Sequence, residues 1–98
     1  MFDKMKQLME MQKKMQELKR ELDNVDFDIA SSDGLVKVTM NGSQEVKAVA
    51  FQDGYKSVDK AILEKSVKDA YNRAIKHSQE LAAKKMKDMT GFNIPGLT

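Results

Sequence analysis

The chain has 98 residues, a formal net charge of +2 and no cysteine. This length fits one domain, and without cysteine the chain has no disulfide scaffold, thiolate metal site or cysteine nucleophile. Charged residues interrupt the N-terminal segment and no apolar run approaches the length of a bilayer span, so we expect a cytosolic protein with no membrane partner. The small net charge is only a weak indication of nucleic-acid binding.

The first segment predicts a helix over about residues 2–24. Its apolar side chains recur at steps of three and four residues, which is the heptad-like pattern of an amphipathic helix. Neither Gly nor Pro interrupts the pattern, and most other positions are strong helix formers. The apolar seam consists of Met1, Met5, Leu8, Met11, Met15, Leu18, Leu22 and Val25.

The middle of the chain changes to a period of two residues, which predicts three strands over about residues 25–31, 35–41 and 44–51. The first two strands are separated by a turn at residues 31–34. The dipeptide Asn41-Gly42 predicts a type I′ hairpin turn between the second and third, because both central residues of that turn need positive φ.

The third strand departs from simple alternation. Val46 and Ala48 share one face, whereas Val49 and Phe51 fall on the other face. This phase slip indicates either a bulge or a strand that is covered on both sides.

A second helix is predicted over about residues 58–89, with Ser57 or Asp59 as its N-cap and Gly91 just past its end. Residues 92–98 hold the only proline, and we expect them to form a flexible tail. Residues 1–91 are then one domain of the α+β class. Its architecture is helix–three-stranded antiparallel sheet–helix (αβββα), in two layers.

The predicted helices are too long for a lone small domain. The first would be about 35 Å long and the second roughly 45 Å, whereas a compact domain of this size has a radius of gyration of about 13 Å. Part of each apolar seam must extend beyond three short strands. The economical partner is a second copy related by a two-fold axis, so we expect an intertwined homodimer with projecting helices.

The sequence contains no catalytic constellation. His77 is the only histidine, and its place on a charged helix favours a surface position over a role as general base. No Gly-rich phosphate loop precedes a helix, and the carboxylates are scattered among lysines. We therefore predict that the protein is not an enzyme and uses no cofactor, metal or small-molecule substrate.

The basic residues of the first helix allow two interpretations. Lys6, Lys13 and Arg20 recur every seven residues and so lie on one stripe, with Glu10 and Glu17 four residues after the two lysines. One interpretation is an exposed face with local ion pairs, each contributing about 0.3 kcal/mol. The other is a face that contacts DNA.

The second helix ends with three lysines that are opposed only by Asp88. Cations near a helix C-terminus are favoured by the helix dipole, which is one explanation. The functional interpretation is a prong that contacts phosphates without reading sequence. These lysines are Lys84, Lys85 and Lys87.

The central stretch resembles a known protein family. Residues 34–42 read Gly-Leu-Val-Lys-Val-Thr-Met-Asn-Gly and are followed by Glu45-Val46-Lys47, which is similar to the central motif of the YbaB/EbfC family. The Met- and Gln-rich opening over residues 5–15 and the stretch over residues 86–97 are also similar to that family. The resemblance covers nearly the whole chain.

The resemblance implies a homodimeric, nucleoid-associated protein whose paired helices grip DNA like tweezers. We therefore predict binding of double-stranded DNA in the cytoplasm and nucleoid, mainly through backbone charge and shape, with a role in nucleoid organisation and gene regulation. Carried onto this chain, the implied DNA contacts are Lys6, Lys13, Lys14, Lys19 and Arg20 on the first helix and Lys84, Lys85 and Lys87 on the second.

A second hypothesis is a protein-interaction or chaperone-like module. Projecting helices with Met-rich apolar stripes could clasp a protein partner, because methionine adapts to irregular surfaces. An enzyme is the third class, and the absence of a catalytic constellation argues against it.

Overall fold

The computed structural model describes residues 2–90, and the predicted tail over residues 92–98 lies outside them. Helices and strands follow one another in the predicted order, which confirms the α+β helix–three-strand–helix protomer. The elements are α1 (Phe2–Asp23), β1 (Asp26–Ala30), β2 (Val36–Asn41), β3 (Val46–Phe51), a short 3-10 helix (Tyr55–Ser57) and α2 (Lys60–Thr90).

The three strands form an antiparallel meander in the order β1-β2-β3. Val36, Val38 and Met40 of the central strand are fully buried, as their predicted alternation requires. α2 packs on this face against β2 and β1, and its Ala70 and Ala74 complete the core cluster. Small alanine side chains let the helix lie close to the sheet, so the protomer has two layers.

A β-bulge interrupts the pairing of β2 with β3. Met40 lies opposite Val46, but the preceding Thr39 lies opposite Ala48. Lys47 is therefore an extra residue on β3, and it shifts the phase of the strand by one position. This confirms the bulge as the explanation of the irregular alternation.

The bulge places three apolar side chains of β3 on one face. Directly opposed residues in an antiparallel pair project to the same side of the sheet, and Val46, Val49 and Phe51 each lie opposite a buried residue of β2. The bulge therefore brings Val46 onto the same face as Val49 and Phe51, from which simple alternation would separate it. All three remain 44–48% exposed, because α2 lies over the other two strands.

The predicted type I′ turn at Asn41-Gly42 is wrong, although the hairpin itself forms. Asn41 is the last residue of β2, and residues 42–45 make the connection. The amide of Gln44 donates to the carbonyl of Asn41 at 3.2 Å. The loop has its left-handed residue at Gln44, with φ of 64°, rather than at Asn41 or Gly42. Gly42 instead meets a packing requirement of α1, described below.

The predicted turn between β1 and β2 is confirmed. Gly34 has a φ of 75°, and its amide donates to the carbonyl of Ser31 at 3.0 Å. The next residue, Ser32, donates its amide and its hydroxyl to the carboxylate of Asp69 on α2, at 2.7 and 2.8 Å. These hydrogen bonds from Ser32 lower the pKa of Asp69 and tether the loop to the helix.

α2 begins one residue after Asp59. The carbonyl of Asp59 accepts the amides of Ile62 and Leu63 at 3.0 and 3.1 Å, which is the position of an N-cap residue. Ser57, the other candidate cap, instead ends the short 3-10 helix.

The protomer is elongated because both helices extend beyond the sheet. Its principal extents are 66 × 23 × 17 Å and its radius of gyration is 17.9 Å, against about 13 Å for a compact domain of this size. Both helices therefore carry surface that the three strands do not cover.

Candidate nucleic-acid interface

Gly42 lies where α1 meets the β2–β3 hairpin. Its amide donates to the carbonyls of Leu22 and Val25, at 2.9 and 3.1 Å. A Cβ at this position would lie 2.8 Å from Cδ2, 3.0 Å from the carbonyl oxygen and 3.1 Å from Cα of Leu22. Only glycine lets the hairpin approach the end of α1 this closely.

The buried side chain of Asn41 stabilises the same contact between α1 and the hairpin, which we call the joint. Its Nδ2 donates to the carbonyl of Asp23 at 3.1 Å and to the carboxylate of Glu45 at 2.9 Å. Its Oδ1 accepts the amides of Ser43 and Glu45, at 2.9 and 3.0 Å. The backbone carbonyl of Asn41 also accepts the buried hydroxyl of Ser78 on α2, at 3.1 Å. Asn41 thus joins α1, the hairpin and α2 at one point.

Asp23, the last residue of α1, completes the joint. Its carboxylate accepts the hydroxyl of Ser43 and pairs with Lys19 at 3.1 Å. The hydrogen bond from Ser43, followed by that from Lys19, lowers the pKa of Asp23. The joint of Asp23, Asn41, Gly42 and Ser43 sets the direction in which α1 leaves the sheet. Sequence reasoning assigned Asn41 and Gly42 only to a turn, because nothing local indicates the approach of α1.

α1 and α2 run antiparallel beyond this joint. Lys85 of α2 lies 3.8 Å from Glu21 near the end of α1, and Met89, further along α2, lies beside Leu18, which is earlier in α1. Because α2 ends at Thr90, the N-terminal part of α1 extends past the end of α2. α1 is therefore a projecting prong.

The five predicted basic residues of α1 are all exposed. Lys6, Lys13 and Arg20 form a stripe, which we call the basic stripe, and within the described side chains none of them has a carboxylate at ion-pair distance. Lys14 also lacks such a partner, whereas Lys19 pairs with Asp23. The geometry therefore leaves the basic stripe available to an external anion.

The three predicted lysines of α2 have different surroundings. Lys84 and Lys87 are exposed, and no ion pair of either is found among the side chains described for residues 3–89. Lys85 has a side chain that is only 28% exposed and that pairs with Glu21 across the two helices. Lys85 thus links the two helices, whereas the charges of Lys84 and Lys87 are exposed to solvent.

An apolar cleft separates the end of α2 from α1. It has a volume of about 310 Å³, and its apolar lining comes from Met11, Met15, Leu18 and Met89; we call it the methionine cleft. Leu18 is buried, but Met11 and Met15 are 61% and 43% exposed. Among the described residues, the apolar seam of α1 is thus covered at its C-terminal end and exposed nearer its N-terminus.

Other chemistry finds little support in residues 2–90. His77 is exposed, as predicted, and its ring makes an edge contact with Phe27 at a centroid distance of 4.5 Å. The described residues contain no group of three or more His, Asp or Glu side chains that could hold a metal ion. None of the helices in this part of the chain combines the length and the apolar character needed to cross a bilayer.

Comparison with known proteins decides the family. Residues 1–92 match the YbaB/EbfC DNA-binding family. The chain belongs to the YbaB/EbfC DNA-binding family. The fold is also similar to a solved structure, that of uncharacterized protein HP0035 from Helicobacter pylori, with a TM-score of 0.76 and 22% sequence identity over 91% of this chain and 96% of that chain.

Membership of the YbaB/EbfC family confirms the resemblance of the central motif and supports DNA as a partner. The structure shows where this motif and the basic residues lie. The motif over residues 34–42 forms the buried central strand and ends in the joint that directs α1. The motif is therefore mainly structural, and most of the exposed lysine and arginine side chains lie on the two helices.

Proposed function

We propose that this YbaB/EbfC protein binds double-stranded DNA as a homodimer, in the cytoplasm and nucleoid, with a role in nucleoid organisation and gene regulation. The observation that carries the proposal is an exposed basic stripe, without an ion pair among the described side chains, on a projecting helix in a chain of a DNA-binding family. Lys14, Lys84 and Lys87 extend the positive surface.

The binding mode is contact with the phosphate backbone. Lysine binds phosphate as a point charge and carries no sequence information in doing so. α1 is anchored at one end by the buried Asn41, so its charges are presented at fixed spacing rather than on a floppy arm. Two such helices in a dimer double the number of phosphates that one particle can contact.

A titration of several unrelated duplexes across salt concentrations tests this mode. If each copy places three basic residues on phosphates, the slope of log Kobs against log salt is expected to be about −5. Affinity then falls about a thousandfold between about 50 and about 200 mM salt, and similarly for every duplex. Absence of binding to any duplex at low salt would refute DNA binding, and a strong preference for one duplex would refute backbone-only recognition.

An uncovered apolar surface supports the homodimer. Val46, Val49 and Phe51 are about half exposed on an edge strand, and α2 carries a helical stripe of Val67, Tyr71 and Ile75. The first and last residues of that stripe pack on the core, whereas Tyr71 is 42% exposed. A second copy related by a two-fold axis would cover this surface and the open strand edge together.

Val49→Asp is expected to convert the dimer to a monomer, because it places a charge in the apolar contact without disturbing the buried core. Sedimentation equilibrium should report a mass near the 11.1 kDa of one chain, against twice that value for the parent. Ala48→Asp is the matched control, since Ala48 is also exposed but lies opposite Thr39 on the other face. A dimeric Val49→Asp variant, or a parent that is already monomeric, would contradict this interface.

The exposed methionines of α1 favour one other function, a protein-interaction or chaperone-like module. Met5, Met9 and Met11 are each at least 60% exposed. A pull-down after nuclease treatment separates the two functions. Partners that disappear with nuclease support DNA binding, and partners that persist support the protein-interaction module.

A further inference from the structure

One ion pair joins the two helices that carry the basic residues. The Nζ atom of Lys85 on α2 lies 3.8 Å from the carboxylate of Glu21 on α1, and the two side chains are 28% and 45% exposed. The other ion pairs found among the described side chains lie within one helix or within the sheet. The charge of Lys85 is therefore directed toward α1.

The groove around this pair is acidic. It is an open groove of about 320 Å³ between the end of α1 and the end of α2, and its charged lining consists of Glu17, Glu21, Asp88 and Lys85. Three carboxylates against one ammonium give this lining a formal charge of −2. A DNA phosphate that approached Lys85 would meet this negative charge at close range, so the groove disfavours a phosphate contact with Lys85.

Lys85 also lies on a different side of α2 from its two neighbours. At about 100° per residue, Lys84 and Lys87 are about 60° apart around the helix, whereas Lys85 is about 100° from Lys84 and roughly 160° from Lys87. The side chain of Lys85 is mostly covered, so its ammonium cannot swing toward Lys84 and Lys87 without exposing its apolar stem. Its charge therefore stays in the groove.

We propose that Glu21 withholds Lys85 from DNA, so that each protomer contacts phosphates with Lys84 and Lys87 but not with Lys85. The inference rests on the proposed DNA binding and adds a limit on its strength. Glu21 acts as a positioning residue, because it keeps the ammonium of Lys85 between the helices. Neutralising Glu21 removes the competitor for that ammonium and reduces the negative charge of the groove, which frees one more phosphate contact per protomer.

The variant Glu21→Gln tests the proposal in the full chain. Titrations of several unrelated duplexes across salt concentrations are expected to show a slope of log Kobs against log salt that is steeper by about 0.9 per protomer, or about 1.8 per dimer. Affinity near 0.1 M salt should rise about tenfold. A slope equal to that of the parent would overturn the proposal, because the number of phosphate contacts would then be unchanged.

Glu17→Gln is the matched control. Glu17 lies one turn earlier on α1 and lines the same groove, and no ion pair of Glu17 is found among the described side chains. Its neutralisation removes the same charge without releasing Lys85, so affinity should rise by less than about threefold, with an unchanged slope. Equal gains in the two variants would overturn the proposal in favour of a general effect of charge.

A second background shows whether the gain passes through Lys85. In a chain that carries Lys85→Gln, the further change Glu21→Gln is expected to alter affinity by less than about threefold, because no ammonium is left to release. A tenfold gain in the absence of Lys85 would overturn the proposal.

The parent chain separates failure of this inference from failure of the proposed function. If the parent binds no duplex at low salt, the proposed function is refuted and this inference is refuted with it. If the parent binds with the expected salt slope and Glu21→Gln behaves like the parent, only the withholding of Lys85 is refuted.

Discussion

Replacing Lys6, Lys13 and Arg20 together with glutamine is expected to weaken DNA binding by at least about a hundredfold near 0.1 M salt. Each lost phosphate contact removes about 0.9 from the slope of log Kobs against log salt, so three contacts remove about 2.7 per protomer. The basic stripe is exposed and free of described ion pairs, so thermal stability should change little. Fluorescence anisotropy with a labelled duplex at several salt concentrations measures the affinity and its salt slope.

The matched control removes the same charge from the other end of the molecule. Three other lysines are exposed and distant from the C-terminal end of α2 beside α1: Lys56 precedes α2, and Lys65 and Lys68 lie in its first three turns. Replacing these three residues with glutamine should change the salt slope by less than one contact. Equal losses in the two triple variants would show that net charge, not the basic stripe, sets affinity. If the basic-stripe variant bound DNA with unchanged affinity, the DNA contacts would instead lie near Lys84 and Lys87.

Gly42→Ala is expected to destabilise the fold by about 2–3 kcal/mol, in the range of overpacked cores. The new Cβ meets backbone atoms of Leu22 at 3.0 and 3.1 Å, and those atoms cannot move without shifting the end of α1. The backbone of Gly42 does not have positive φ, so the cost is steric. For a domain of this size the change lowers Tm by roughly 10–20 °C, which urea and thermal unfolding both measure.

Gly34→Ala is the control for this prediction. Gly34 has a φ of 75° and nothing within 4 Å of an added Cβ, so alanine there costs only the backbone strain of about 1 kcal/mol. A Gly42→Ala variant no less stable than Gly34→Ala would contradict the tight approach of hairpin and α1. Because the joint directs α1, Gly42→Ala is also expected to weaken DNA binding at temperatures where the protein remains folded.

The elements of the fold were predictable because their signals are local. A run of steps of three and four residues over 2–24 reports which side chains share a helix face, and the alternation over 36–40 reports one buried face of a strand. The candidate site was predictable only as charge on two helices. The sequence does not show which charges are already paired, since Lys85 meets Glu21 over 64 residues of separation while Lys6 and Lys13 lack the local pairs that their spacing allowed.

The amino-acid sequence by itself determined the order of the helices and strands, the buried face of β2 and the family, and it limited the phase slip in β3 to a bulge or a strand covered on both sides. These properties follow from periodicity and from short motifs, which act within a few residues. Only the tertiary structure decided the role of Gly42, the exposed apolar face of β3 and the separate surroundings of Lys84, Lys85 and Lys87. Each of these depends on which distant segment lies alongside, and close packing rather than local preference selects that neighbour.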